Sequence, residues 1–160
     1  MTSKKPKKKV AAKKASSRKS PAKAKRSVPE SFRARSFSAA LTANDLQKTV
    51  AWYRDAIGFV VVREFERDGK VMGVRLKAGS IEILINQDDG AKGWNRAKGE
   101  GIGLYFATAQ SVDEIANRIK STGTMLTTEP ADMPWGTRSF RVKDPDGFNI
   151  AISTERPPER

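Results

Sequence analysis

Two successive stretches of this chain follow the same predicted order of elements: a strand, a helix and three further strands. Each predicted helix carries its apolar side chains on one face and ends at a glycine, Gly58 in the first stretch and Gly123 in the second. Because both stretches repeat one pattern of buried and exposed positions, the repeat indicates a folding unit used twice. We therefore predict an α+β fold built from two tandem βαβββ modules.

The first module is predicted to begin with a short strand at 37–41. A helix follows from Asp45 to Gly58, and Asn44 or Asp45 is expected to cap its first turn. Three strands are predicted after the helix, at 59–66, 71–77 and 81–86. These elements complete one βαβββ unit.

The second module follows a polar loop at 88–100 and is predicted to contain a strand at 101–108. Its helix begins at the capping box Ser111-Val-Asp-Glu114. Strands are predicted at 124–128, 137–143 and 148–153, with a loop at 130–136. Asp144-Pro145-Asp146-Gly147 joins the last two strands, because its proline and glycine favour a tight turn. We interpret this motif as a hairpin turn rather than a phosphate or metal loop.

The N-terminal segment differs from the rest of the chain in charge. Residues 1–36 contain 14 of the 31 Lys and Arg residues but one of the 18 Asp and Glu residues, so this segment accounts for the net charge of +13. Like charges repel and little apolar surface is available for burial. We therefore predict a disordered, basic Lys/Ala/Ser/Pro-rich tail at 1–35 and a folded domain at 36–156.

The tail is expected either to bind DNA or RNA without sequence preference, through its positive charge, or to act only as a solubilising segment. The predicted nucleic-acid contacts are Lys4, Lys5, Lys7, Lys8, Lys9, Lys13, Lys14, Arg18, Lys19, Lys23, Lys25 and Arg26.

The chain contains no cysteine and no histidine, which excludes disulfides, thiolate ligands and imidazole ligands. It has no run of about eighteen apolar residues, so no transmembrane helix is predicted. The N-terminus lacks the apolar core of a secretory signal. We expect a cytoplasmic protein with no membrane partner, associated with the nucleoid if the tail binds DNA.

Several segments together resemble the vicinal oxygen chelate superfamily, which includes glyoxalase I, bleomycin-resistance proteins, fosfomycin-resistance enzymes and extradiol dioxygenases. The resemblance covers about residues 36–154 and lies in Leu41-Thr-Ala-Asn-Asp-Leu46, Trp52-Tyr53-Arg54-Asp55, Ile57-Gly58-Phe59 and Lys143-Asp-Pro-Asp-Gly147. It implies two βαβββ modules whose sheets curl around a cavity, often within a homodimer.

Metal enzymes of this superfamily place His or Glu ligands on the first and fourth strands of each module. The resemblance puts these four positions at Ser38, Glu82, Gly103 and Ala151. Of these residues, Glu82 alone can bind a divalent metal well, and a catalytic metal normally needs about three protein ligands. We therefore expect neither a metal nor another cofactor.

The sheet side that lines the cavity in this superfamily is expected to bind a small molecule of unknown identity. Glu82 is expected at the floor of the pocket, as a hydrogen-bond acceptor or, if it is buried, as a catalytic base. Alternatively, Glu82 is balanced by a neighbouring arginine such as Arg75. The predicted ligand-binding residues are Ser38, Glu82, Leu84, Gly103, Tyr105, Trp94, Trp135 and Ala151.

Three functions are compatible with this pattern. The first is sequestration of a small molecule without a metal, as in bleomycin-resistance proteins, and we favour it over catalysis. The second is a lyase- or isomerase-type enzyme of the same superfamily, or one related to its dioxygenases, that uses Glu82. The third is a nucleic-acid-associated accessory protein that acts through the basic tail. A resemblance in fold does not decide among them.

Overall fold

The strands form two four-stranded sheets, one in each module. The computed structural model describes Phe32 and residues 35–156. The first sheet contains β1 (Ser38–Ala43), β2 (Val60–Arg67), β3 (Lys70–Ala78) and β4 (Ile81–Gln87). The second contains β5 (Gly103–Thr108), β6 (Leu126–Asp132), β7 (Arg138–Lys143) and β8 (Asn149–Thr154).

Each module has a helix after its first strand. Helix α1 (Leu46–Trp52) follows β1 and continues into a π-helical turn (Tyr53–Ile57), while α2 (Val112–Ser121) follows β5. The element order of both modules is therefore βαβββ. This confirms the predicted α+β fold.

Both sheets have the same topology, with strand orders β1-β4-β3-β2 and β5-β8-β7-β6. The first strand of each module pairs in parallel with the last, and the other neighbours are antiparallel. In this register Ser38 lies opposite Glu82, and Tyr105 lies opposite Ala151. Cross-strand partners share a face of the sheet, so this register decides which side chains can form a site together.

The helices begin at residues that satisfy their free backbone N–H groups. The Asp45 carboxylate accepts a hydrogen bond of 3.0 Å from the N–H of Lys48, and the Ser111 hydroxyl accepts one of 3.3 Å from the N–H of Glu114. Gly58 ends the first helical segment with a φ of 105°, a conformation that favours glycine. The predicted caps and the predicted terminal glycine are confirmed.

Several predicted strand boundaries were wrong, and two of them are instructive. A strand was predicted at 124–128 and a loop at 130–136, but β6 continues through Pro130 to Asp132. An edge strand can accommodate proline on its solvent side, because no neighbouring strand there needs the N–H group that proline lacks. The first strand was predicted from residue 37, but β1 begins at Ser38 and Phe37 is exposed.

The hydrophobic core lies between the helices and one face of each sheet. Edge-to-face aromatic contacts continue from one module into the other, with ring centroids 5.1 Å apart for Trp52 and Tyr53, 5.6 Å for Tyr53 and Phe59, and 5.8 Å for Phe59 and Phe106. Phe59 precedes β2 in the first module, whereas Phe106 belongs to β5 in the second. The two modules therefore share one core.

Arg118 of α2 connects the two helical segments. Its guanidinium donates hydrogen bonds of 2.8 Å and 2.6 Å to the carbonyl groups of Ala56 and Ile57. Carbonyl groups at a helix end lack partners within the helix, so Arg118 stabilises the end of the first helical segment. The modules are thus held together by polar contacts as well as by the core.

The predicted nucleic-acid contacts, from Lys4 to Arg26, lie outside the described residues. Within residues 35–156, neither helix has the length and apolar character needed to cross a membrane.

Candidate functional site

Each sheet has one face turned away from the shared core, and these two surfaces carry most of the predicted site residues. Along β4, Ile83 and Ile85 are buried in the core, so Glu82 and Leu84 alternate onto the other face. The first open face is formed by Ser38, Ala40, Arg63, Phe65, Arg75, Lys77, Glu82 and Leu84. The second open face is formed by Gly103, Tyr105, Arg141, Lys143, Asn149 and Ala151.

Glu82 is partly exposed and has a cationic neighbour. Its carboxylate lies 3.8 Å from a guanidinium nitrogen of Arg75, and the two side chains are 39% and 41% exposed. The Ser38 hydroxyl donates a hydrogen bond of 3.1 Å to the backbone carbonyl of Glu82, not to its carboxylate. Arg75 is therefore placed to balance the charge of Glu82, as the alternative interpretation of Glu82 predicted.

The second open face contains a pocket of about 410 Å³. Among the residues that line it are Gly103, Tyr105, Arg141, Asn149 and Ala151. Strand register places Gly103 opposite Asn149 and Tyr105 opposite Ala151. Three predicted site residues of the second module, Gly103, Tyr105 and Ala151, are therefore together on one surface, while Ser38, Glu82 and Leu84 are together on the other.

Tyr105 occupies part of the space beside Gly103. A Cβ atom added to Gly103 would lie 3.0 Å from Cε2 of the Tyr105 ring, so the absence of a side chain at Gly103 makes room for that ring. The residue Tyr105 is 77% exposed. An exposed aromatic side chain beside small residues can stack on a flat ligand.

Trp94 and Trp135 are exposed residues of loops and do not line the 410 Å³ pocket. The Trp94 side chain packs on Gly90, where an added Cβ would lie 2.5 Å from the indole ring. The Trp94 carbonyl accepts a hydrogen bond of 3.2 Å from the Asn44 amide. The structure thus gives Trp94 a local packing contact, and its part in ligand binding stays a prediction.

The residues at the metal-equivalent positions do not fit a catalytic metal centre. Gly103 and Ala151 offer no side-chain donor, and the Ser38 hydroxyl is engaged with a backbone carbonyl. Among the described residues, no group of three or more His, Cys, Asp or Glu side chains could hold a metal ion. Glu82 would be the single strong ligand, fewer than the three that catalytic sites normally supply.

The Asp144-Pro145-Asp146-Gly147 turn joins β7 to β8, as predicted, but its carboxylates have a second role that the sequence did not reveal. Asp146 accepts hydrogen bonds of 2.7 Å from the N–H of Asn44 and 2.6 Å from the hydroxyl of Thr49. Asp144 accepts one of 3.0 Å from the hydroxyl of Tyr53. The turn of the second module therefore holds the beginning of the first helix in place.

A buried lysine completes this polar cluster. The side chain of Lys98 is 1% exposed, and its Nζ lies 2.8 Å from Asp88 and 3.9 Å from Asp146. The hydrogen bond from Lys98 holds the pKa of Asp88 well below its usual range. Burial raises the pKa of Asp144, since the charged form loses solvation there. Each group has a protein partner, so the cluster joins elements rather than forming a ligand site.

Both modules match the sequence profile of one protein family. The sequence profile of the glyoxalase/bleomycin resistance protein/dioxygenase superfamily matches residues 36–152. The chain belongs to this superfamily. The match spans both modules and both open faces, and the expected relationship to the vicinal oxygen chelate fold is confirmed.

Solved structures agree with this assignment. TioX from Micromonospora sp. ML1 is 20% identical with a TM-score of 0.63, and the match covers 76% of this chain and 98% of that one. A glyoxalase/bleomycin resistance protein/dioxygenase family enzyme from Burkholderia phytofirmans PsJN is 18% identical with a TM-score of 0.60, covering 73% of this chain and 95% of that one. At such identities these structures are evidence of the shared fold and of nothing more specific.

A relative of known function is about as similar in sequence as these structures. Lactoylglutathione lyase GLX1 of Arabidopsis thaliana is 22% identical over 119 residues, which covers 71% of this chain and 41% of the plant protein. The chain thus spans about two-fifths of the length of the curated relatives it matches.

Proposed function

We propose that this protein binds and sequesters a small molecule on the open faces of its sheets, without using a metal ion. The observation that carries the proposal is the 410 Å³ pocket lined by Gly103, Tyr105 and Ala151. Its volume is within the range of small-molecule sites, and its small and aromatic lining suits an organic ligand. The lack of donor side chains at Gly103 and Ala151 supports metal-independent binding.

Filling the pocket tests this proposal. The experiment is a thermal-shift screen of the EDTA-treated full chain against a library of small organic molecules. Ala151→Trp should abolish the shifts caused by the hits, whereas Lys48→Trp, on the exposed surface of α1, should leave them unchanged. Hits that bind Ala151→Trp as well as the wild type, or that need added metal, would contradict the proposal.

The functional form is proposed to be a homodimer in which a second copy covers the open faces. Apolar side chains at the margins of both sheets, including Val60, Ile102 and Met125, are exposed in the single chain. A second copy that packs on these side chains would remove their apolar surface from water. Light scattering during size-exclusion chromatography should give twice the 17.6 kDa mass of the chain, and a monomer at working concentration would contradict this form.

A second candidate is a lyase of the same superfamily, favoured by the similarity to lactoylglutathione lyase GLX1. Glu82 would be its catalytic residue. The test is formation of lactoylglutathione by the purified chain, before and after addition of divalent metal. Activity that Glu82→Gln abolishes and Glu129→Gln preserves would favour catalysis over sequestration. A wild-type rate equal to the background would exclude this lyase activity.

The basic tail at 1–35 is proposed to bind DNA or RNA nonspecifically, which would suit a cytoplasmic protein associated with the nucleoid. The support is its charge, since residues 1–36 contain 14 Lys and Arg residues and one acid. Displacement of counterions makes such binding weaken steeply with salt. A DNA titration at several salt concentrations should show this slope for the full chain. Replacement of the twelve basic residues between Lys4 and Arg26 by Gln should abolish it.

A further inference from the structure

We propose that the ligand bound on the open faces is a planar organic anion. Each module would hold it with a pair of cationic side chains, an arginine and a lysine, that occupy equivalent positions in the two modules. This inference rests on the proposed binding function and specifies the chemical class of its ligand. Its basis is a repeat that strand register reveals on the third strand of each module.

The repeat consists of Arg75 and Lys77 in β3 and of Arg141 and Lys143 in β7. Arg75 lies opposite Leu84 and Lys77 opposite Glu82, while Arg141 lies opposite Ala151 and Lys143 opposite Asn149. The two residues of each pair are separated by one position, so both reach the open face of their sheet. Because the pairs occupy equivalent places in two modules of one topology, each open face presents an arginine and a lysine side by side.

The first open face carries a further cation. Arg63 lies directly opposite Arg75 in the β2–β3 ladder. Like charges in this position repel each other and destabilise the pairing of the strands. A bound anion between the two guanidinium groups would remove that repulsion.

Protein carboxylates balance little of this charge. Within residues 35–156, Arg63, Lys77, Arg141 and Lys143 form no ion pair, and Arg75 has only Glu82 at 3.8 Å. The Nε atom of Arg75 is buried and has no hydrogen-bond partner among the described residues. Guanidinium groups with unused donors bind carboxylate or sulfonate oxygens in pairs of parallel hydrogen bonds.

The other arginine of the second sheet already has carboxylate partners. Arg138, at the start of β7, donates hydrogen bonds of 2.7 Å to Asp113 and 3.1 Å to Asp132. Its charge is therefore balanced within the chain, in contrast to that of Arg141. Arg141 and Lys143 therefore leave positive charge on the second open face that no carboxylate of residues 35–156 balances.

Aromatic rings beside these cations indicate that the anion is planar. The guanidinium carbon of Arg63 lies 4.9 Å from the centroid of the Phe65 ring, and that of Arg75 lies 5.6 Å from it. On the second open face, the exposed Tyr105 ring and Arg141 line the same pocket. An aromatic acid could place its ring against these side chains and its anionic group against the arginines.

The test uses 2-naphthoate as the anionic probe and 2-naphthamide as its neutral counterpart. Both are titrated by calorimetry into the full chain in a phosphate-free buffer at low salt. We expect naphthoate to bind at least about tenfold more tightly than naphthamide, because a charge-assisted pair of hydrogen bonds is lost in the amide. Arg75→Gln and Arg141→Gln should each weaken naphthoate binding by about fivefold or more.

Lys70→Gln provides the matched control, because it removes one positive charge at the exposed β2–β3 hairpin. It should leave naphthoate binding unchanged, and circular dichroism should show that all variants are folded. Equal affinities for the two probes, no binding of naphthoate at millimolar concentrations, or unchanged binding in both arginine variants would overturn the inference. Unchanged binding would place the anion elsewhere, for example on the basic tail.

The outcomes separate this inference from the proposed function. If Ala151→Trp abolishes the binding of screening hits that are all neutral or cationic, the binding function stands and the anionic ligand class is wrong. If naphthoate binds in an arginine-dependent way but Ala151→Trp has no effect on any ligand, the anion site stands and the pocket on the second open face is not the functional site.

Discussion

The hydroxyl of Tyr53 donates a hydrogen bond of 3.0 Å to Oδ2 of Asp144, a residue 91 positions later in the chain. Both groups are buried, and Tyr53 belongs to the π-helical turn that continues α1. Burial and the negative charge of Asp144 raise the pKa of Tyr53, so its hydroxyl remains protonated and a donor. One hydrogen bond thus ties the helix of the first module to the β7–β8 turn of the second.

We therefore expect Tyr53→Phe to lower the free energy of unfolding by about 1–3 kcal/mol, because the buried carboxylate of Asp144 would lose a donor. Urea unfolding followed by circular dichroism measures this change. Tyr105→Phe is the matched control, since the Tyr105 side chain is largely exposed and should change stability by less than about 0.5 kcal/mol. Equal stabilities of the two variants would show that the hydrogen bond does not link the modules energetically.

The second prediction concerns acid stability. The hydrogen bond from Lys98 lowers the pKa of Asp88 in the folded chain. A carboxyl group with a lowered folded pKa contributes stability above its unfolded pKa of about 4, and that contribution is lost as the pH falls through the folded pKa. Asp144 acts in the opposite direction, because burial raises its pKa and makes protonation favour the folded state.

Since these two effects oppose each other, the informative comparison is between the wild type and Asp88→Asn. Melting temperatures measured between pH 7 and pH 2 should fall more steeply below about pH 4 in the wild type than in Asp88→Asn. Asp89→Asn is the control, because the Asp89 carboxylate is adjacent to Asp88 in the sequence but forms no ion pair among the described residues. Parallel profiles for the wild type and Asp88→Asn would rule out the Lys98 contact as a source of stability.

The sequence predicted the modules because their signals are local. The Ser111 cap, the terminal Gly58 and the turn at Gly147 each act within a few residues of themselves, so each could be recognised without knowledge of the fold. The prediction failed at Pro130, where a residue typical of loops is accommodated in an edge strand. That outcome depended on the position of β6 in the sheet, which no local pattern specifies.

The polar contacts between modules were not predictable for a related reason. Lys98 lies in a polar loop, and nothing nearby indicates that Asp88 and Asp146 surround it. The cationic pairs could have been noticed, since Arg75-Leu-Lys77 and Arg141-Val-Lys143 are similar in sequence. Only the strand register shows that they occupy equivalent positions.

The third prediction concerns Gly99 and Gly101, two glycines between β4 and β5. Their backbone conformations are nearly the same, with φ of 74° at Gly99 and 72° at Gly101. A Cβ added to Gly99 would lie 2.7 Å from Cα of Phe148, whereas one added to Gly101 would meet nothing within 4 Å. Both alanine variants bear the same backbone strain. The difference between their free energies of unfolding therefore isolates the clash with Phe148, which follows the β7–β8 turn.

We expect Gly99→Ala to be less stable than Gly101→Ala by about 1–3 kcal/mol, the usual range for overpacking a site that cannot easily relax. Chemical unfolding of both variants and the wild type gives this difference directly. If the two alanine variants were equally stable, the loop would have to move away from Phe148 with little loss of free energy, and the close approach would not be a constraint.

The last prediction concerns Glu82, whose role distinguishes catalysis from anion binding. Its carboxylate lies 3.8 Å from Arg75 and competes with any external anion for that guanidinium. Removal of the negative charge by Glu82→Gln should therefore strengthen 2-naphthoate binding, by about twofold to fivefold for an ion pair that is partly exposed. For the same reason, the free energy of unfolding should change by less than about 1 kcal/mol.

Glu129→Gln is the control for Glu82→Gln, because Glu129 pairs with Lys120 at 3.0 Å on an exposed surface outside the open faces. It removes the same charge, so any general effect of net charge on the affinity for an anion would appear in both variants. Calorimetric titration of both variants with 2-naphthoate makes the comparison. Weaker binding in Glu82→Gln alone would mean that the carboxylate contacts the ligand, and would favour the functional role of Glu82 over its role as a partner of Arg75.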